Sequence, residues 1–309
     1  MRISSTLAIA VLLLTPSANA GGLQDSNQTI VVRATPLNPE QARDRAVNFV
    51  KSTGVANGQK QVARWVVPVC IKVFGLAASQ EARVVRQMLA VAEEAKIPVG
   101  KVDCEPNLTV TVAADAVEAV RYIHARKPNQ LREVNKAEKE QLLNGSAPVR
   151  WWYATEMMDR DGVKANSMTA PWITAGDTNG GVFSLPEGMA ATQQYNSGSN
   201  VRTPTIRSLY GATVIVDATK AGSTPIDSIA AYAAMVAFAE MDADAPPPDS
   251  ILGLFQPDST ATSLTDWDMA FLKSLYRMPL DRRSRIQRGH LVEALLKERL
   301  PTQNSINQP

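Results

Sequence analysis

The sequence predicts an α+β domain with a wholly apolar helix in its core and a large loop or hairpin insertion. Three observations carry this reading. A β-branched run, "RWVVPVCIKVFG" (64–75), is followed by an amphipathic helical pattern and a second run, "NLTVTVA" (107–113), which together make a strand–helix–strand unit. From Asp159 to about Tyr210 the composition turns to Gly, Ser, Asn and Thr, in pieces such as "DTNGG" and "NSGSN", over a stretch too long for a plain connection. Beyond it, "STPIDSIAAYAAMVAFAEM" is apolar all round, as a helix enclosed on every side must be.

The elements follow in order. Residues 21–61 form a polar lead-in whose one helical patch opens with Asn38 as cap and Pro39 in the first turn. The folded domain spans 62–278, with the insertion at 159–210. Its first strand ends at Gly75, and a helix behind a Ser79 cap repeats Val84, Val85, Met88, Leu89 and Ala92 at helical spacing. Asp115 caps a helix running to Arg126, and Asn135 with Glu138 forms a capping box for a short helix ending near Gly145. "VRWWYATEMM" alternates as a strand, so Trp151 and Trp152 must point to opposite faces. "GATVIVDA" (211–218) reads as a buried strand. The apolar helix takes Thr224 as cap and Pro225 as first residue, with Asp227 in its first turn. "SLTDWDMAFLKSLY" is a further helix capped by Ser263 or Thr265, and 279–309 is a basic C-terminal helix and tail.

The first twenty residues combine Arg2, the apolar run "LAIAVLLL" and "ANA" at 18–20, the pattern of a signal peptide cleaved after Ala20. The run is too short to span a bilayer and no cysteine stands at the cleavage site, so an exported, periplasmic or extracellular protein without a stable membrane anchor is expected. In such a compartment Cys70 and Cys104 are expected to form a disulfide. With 32 Lys plus Arg against 30 Asp plus Glu, the chain lacks the basic footprint of a nucleic-acid binder. The exception is the tail from Lys273 onward, whose arginines are either a solvated helix face or a contact for an acidic partner.

This order of parts, and above all the end "DSILGLFQPDSTATSLTDWDMAFLKSLY", resembles the matrixin-like zincin metallopeptidase domain, with a turn under the metal followed by an "LT..D...L..LY" helix. The chain is also similar to a group of exported bacterial proteins of unknown activity that share an "RW..PVC" start and an "LT.WD..FL..LY" end. The zincin resemblance implies a mixed sheet with a central buried helix. In that family the helix carries H-E-x-x-H, whose two His, one turn apart, bind Zn²⁺ while the Glu acts on the metal-bound water. By position the first His falls at Tyr232, the Glu at Ala233 and the second His at Val236, and residues 219–245 contain no His at all. Asp242 or Asp244 stand where a third ligand is expected.

Other chemistry has few carriers. His124 and His290 are the only histidines and neither lies at ligand spacing from another candidate. No G-x-S-x-G elbow exists, and Ser197 in "NSGSN" fits loop chemistry. Asp217, Glu156, Asp159 and Asp161 are candidate carboxylates for proton transfer. "DADAPPPDS" has a calcium-like density of acids at Asp242, Asp244 and Asp249 without the Gly and terminal Glu of an EF-hand. The expectation is a non-catalytic module with no cofactor, whose cleft offers Tyr232, Trp152, Asp242 and the 174–200 loops to an envelope protein or ligand. The alternative is a hydrolase whose active site in the same cleft is of unrecognised type.

Overall fold

The computed structural model describes residues 38–55, 57–159, 202–242 and 246–300, together with the backbone of 172–176 and 182–186. The expected leader, Asp161, Ser197, Asp244 and most of the 174–200 loops lie outside the described residues.

Helix α1 (Pro39–Ser52) starts at a capping box in which the Asn38 side chain accepts from Gln41 N and the Gln41 side chain accepts from Asn38 N. The run 64–75, read above as one strand, is two: β1 (Ala63–Trp65) and β2 (Ile71–Phe74). Pro68 has no N–H to give a ladder, and Val69 turns aside to bond Pro98 O at 2.8 Å. The chain thereby changes neighbours, β1 pairing with β7 (Thr205–Asp217) and β2 with β3 (Leu108–Ala113). At Gly75, with φ +86, a Cβ would lie 2.0 Å from Val112 O, so the strand must end in glycine there.

Helix α2 (Ala78–Ala95) crosses from β2 to β3. Its N-cap is Ala77 rather than Ser79, because the Gln80 side chain reaches back to the Ala77 N–H and leaves Ser79 inside the first turn. α3 (Ala116–Arg126) and α4 (Lys136–Asn144) begin at the expected caps, Asp115 and Asn135. β4 (Val149–Asp159) runs antiparallel along nearly all of β7, with a register shift between Ala154 and Thr155 opposite Gly211. Between them the insertion contains an antiparallel hairpin, β5 (Trp172–Gly176) and β6 (Val182–Pro186). β7 begins at Thr205, inside the span assigned to the insertion, because its first half is needed to pair with β1 and the end of β4.

The main sheet is therefore mixed. β4 flanks β7 on one edge, β1 and then β3 flank it on the other, and β2 lies outside β3. All are parallel to β7 except β4, which gives an α+β domain. α3 and α4 cover one face, where Ala116, Val120, Leu131, Leu142 and Ile215 form a core. The other face carries α6 (Ile226–Phe238), reached through the single turn α5 (Ala218–Ala221), with α2 beside it. α7 (Asp266–Arg277) packs on α2 and α6, and α8 (Ser284–Arg299) packs on both α7 and α1. The lead-in helix and the C-terminal helix are thus in direct contact, with Arg43 bonded to Glu293 at 2.8 Å.

Candidate functional site

Helix α6 has every side chain from Ser228 to Phe238 buried. A helix ends with carbonyls that have no partner in the helix, and enclosure makes each one costly. Here three aromatic donors satisfy them in succession. Tyr153 Oη donates to Val236 O (2.6 Å), Trp65 Nε1 to Ala237 O (2.8 Å) and Tyr276 Oη to Phe238 O (2.7 Å). The two phenol oxygens also accept, from Met241 N at 3.1 Å and Trp65 N at 3.3 Å. Burial raises the pKa of both phenols, so each remains a donor at neutral pH.

The N-terminal end is tied as firmly. Asp227 takes a bidentate bond from Arg83 of α2 (2.7 and 2.5 Å), and Ser228 Oγ donates to Thr262 O at 2.6 Å. Thr224 is not the cap, because its hydroxyl is committed backward to Ala221 O at 2.6 Å and Pro225 becomes the N-cap.

The candidate cleft sits midway along this helix. Tyr232 is 8% exposed and is caught edge-on between Trp151 of β4 (centroids 6.2 Å apart) and Phe255 of the turn after α6 (5.4 Å). Trp151 Nε1 reaches Met241 O at 3.3 Å, closing the end of the cluster. Burial pushes the Tyr232 phenol well above its ordinary pKa, which removes it as a proton acceptor. Ala233 and Val236, where the H-E-x-x-H pattern would put its Glu and second His, are wholly buried. The arrangement is an aromatic lid between edge strand, helix and turn.

Trp152 does not belong to this site. It points through the opposite face into the core under α3 and α4 and is 4% exposed. Strand alternation sends it there once α6 has taken the Trp151 face, and Trp151 is the tryptophan that meets Tyr232. Asp242 follows Met241, whose carbonyl accepts from Trp151, and its own N–H donates to Thr53 O at 3.1 Å. Of the expected cleft residues, Trp152 is thus separated from Tyr232 by the sheet.

The other candidates resolve into structure. Asp217 accepts from Ala116 N (3.2 Å) and Lys220 N (2.9 Å), joining the starts of α3 and α5. Burial alone would raise its pKa, but those N–H donors, with Lys220 and Arg150, hold it below the usual carboxylate range. Glu156 and Asp159 lie in the ladder opposite Ser208 and Thr205. Asp249 is ion-paired to Arg45. His124 lies on α3 and His290 is exposed on α8. Among the described residues no group of three or more His, Cys, Asp or Glu could hold a metal ion.

The two sequence motifs are fasteners of α6. In "RW..PVC", Trp65 caps the helix, Arg64 donates to Leu275 O and lies over the Tyr276 ring, and Cys70 is disulfide-bonded to Cys104 with sulfurs 2.10 Å apart. In "LT.WD..FL..LY", Thr265 caps α7 and Trp267 stacks on Phe49, centroids 6.1 Å apart. Asp268 accepts from Ser250 Oγ (2.5 Å), Ile251 N (2.8 Å) and both the N–H and hydroxyl of Thr265 (2.9 Å each), fixing the turn under α6. Burial nevertheless raises the Asp268 pKa against these bonds. Sequence reasoning missed Tyr153 and Phe255. The same-parity spacing of Trp151 and Tyr153 was the available signal for the first.

No family model, curated protein or solved structure matches the chain.

Proposed function

We propose that this protein is a non-catalytic, zincin-like binding or scaffolding module exported to the cell envelope. The observation that carries the reading is Tyr232, a buried aromatic residue wedged between Trp151 and Phe255 at the position where the family's helix presents its first metal ligand. The order of parts supports it: an antiparallel edge strand, an insertion, the strand that feeds the central helix, a bonded turn, and a closing helix. The disulfide supports an oxidising compartment. With its helix fastened at both ends, the domain presents a rigid surface around the Trp151–Tyr232–Phe255 lid, which is the contact region for an envelope ligand or protein.

The test is metal content. Mature protein beginning at Gly21, dialysed against trace zinc and calcium, is expected to retain neither in stoichiometric amount by mass spectrometry. About one zinc per chain would overturn the reading.

A further inference from the structure

The N-terminal half of α8 carries more positive charge than the described residues around it pair. Asp281 is already shared by Arg282 and by Arg202 at 3.7 Å. Arg283, Arg285 and Arg288 follow within two turns, the first two exposed and the third half-exposed. Among the described residues none of these three has a carboxylate within ion-pair distance. Elsewhere on α1, α7 and α8 the pattern is the reverse. Arg43, Arg45, Arg277 and Arg299 each meet an acid.

The scaffold beneath the three arginines is anchored. Gln287 is wholly buried, accepts from Val62 N at 2.8 Å and donates to Leu280 O at 2.7 Å. Ser284 Oγ donates to Gly58 O at 3.1 Å. The backbone that displays the guanidinium groups is thus fixed before any partner arrives, which lowers the ordering cost of an encounter. Guanidinium forks match carboxylates two bonds at a time.

We propose that Arg283, Arg285 and Arg288 form a docking surface for a carboxylate-rich segment of a partner protein. The surface favours a peptide over a lipid bilayer because its neighbouring exposed positions, Gly289, His290 and Glu293, offer no apolar side chain to insert. This inference is independent of the aromatic lid and does not use the zincin resemblance.

The probe is a fluorescein-labelled decaglutamate peptide, titrated by anisotropy into the full mature chain at low and at physiological salt. Binding is expected, weakening steeply with salt. The triple variant Arg283→Gln/Arg285→Gln/Arg288→Gln should bind about tenfold or more weakly, each lost exposed ion pair contributing a factor of about two to five. A control, Arg132→Gln/Lys136→Gln/Lys139→Gln, removes the same charge from around α4 and should bind as the parent does. Matching circular dichroism and melting of all three proteins would attribute the loss to contact. No binding by the parent, equal loss in the control, or binding to phosphatidylglycerol vesicles in preference to the peptide would overturn the proposal.

Discussion

Replacing Tyr153 by Phe removes a single oxygen from the described interior. That oxygen donates to Val236 O at 2.6 Å and accepts from Met241 N at 3.1 Å, so its loss strands one carbonyl and one N–H beside a helix end. The ring volume is unchanged and no cavity forms, which isolates the polar effect. Orphaning a buried polar group costs about 1–3 kcal/mol, so two partly recovered by rearrangement give a loss of about 2–4 kcal/mol. In a folded unit of this size each kcal/mol lowers the midpoint by about 2–4 °C, so a fall of about 4–16 °C is expected in a thermal melt. Urea titration should show the same loss as a lower midpoint at unchanged slope. Amide exchange should accelerate at Met241 first. A loss below about 0.5 kcal/mol, the range of an ordinary surface change, would refute the claim that the aromatic donors hold the end of α6.

The two tryptophans should separate cleanly. Trp152→Ala empties the core under α3 and α4 and should cost about 3–5 kcal/mol by chemical denaturation, while Trp151→Ala, at the half-exposed lid, should cost less and abolish most of the near-ultraviolet signal from the Tyr232 cluster. Cys70→Ala/Cys104→Ala opens a closure of 34 residues and should lower stability by about 3–4 kcal/mol in the chain-entropy model, read by urea titration with and without reductant. Asp217 has a folded pKa below its unfolded one, so its stabilisation is complete above the ordinary carboxylate value of about 3.9 and is lost as pH falls through the lower folded value. Asp217→Asn should therefore destabilise at pH 7 and flatten the acid limb of the stability profile, and an unchanged acid limb would contradict the assignment.

Local chemistry was legible where a single element decides it. Asn38, Asp115, Asn135 and Thr265 are caps because a polar side chain followed by a helical pattern needs no tertiary knowledge to be understood. Thr224 misled because its hydroxyl has two possible partners, and only the fold of α5 places Ala221 O within reach. The run 64–75 misled because its β propensity is continuous, whereas the partners available to its halves are not. Alternation fixed Trp151 and Trp152 on opposite faces, but which face receives α6 depends on layers far away in sequence. The donors to the end of α6 come from β1, β4 and α7, a convergence that no window of sequence contains.

Strand β7 has a consequence for how the chain is born. It is the shared neighbour of β1, β3 and β4, yet it comes after residue 204. Until that point has left the ribosome, β1 and β4 have no partner in the main sheet, and only β2 and β3 can pair. Tyr276, which completes the end of α6, arrives later still. From the end of β1 at Trp65 to the end of β7 at Asp217, about half of its synthesis, the nascent chain therefore carries unsatisfied strand edges, the condition in which extended segments aggregate. For such a chain, separation from its copies before residue 217 appears matters as much to yield as the stability of the finished domain.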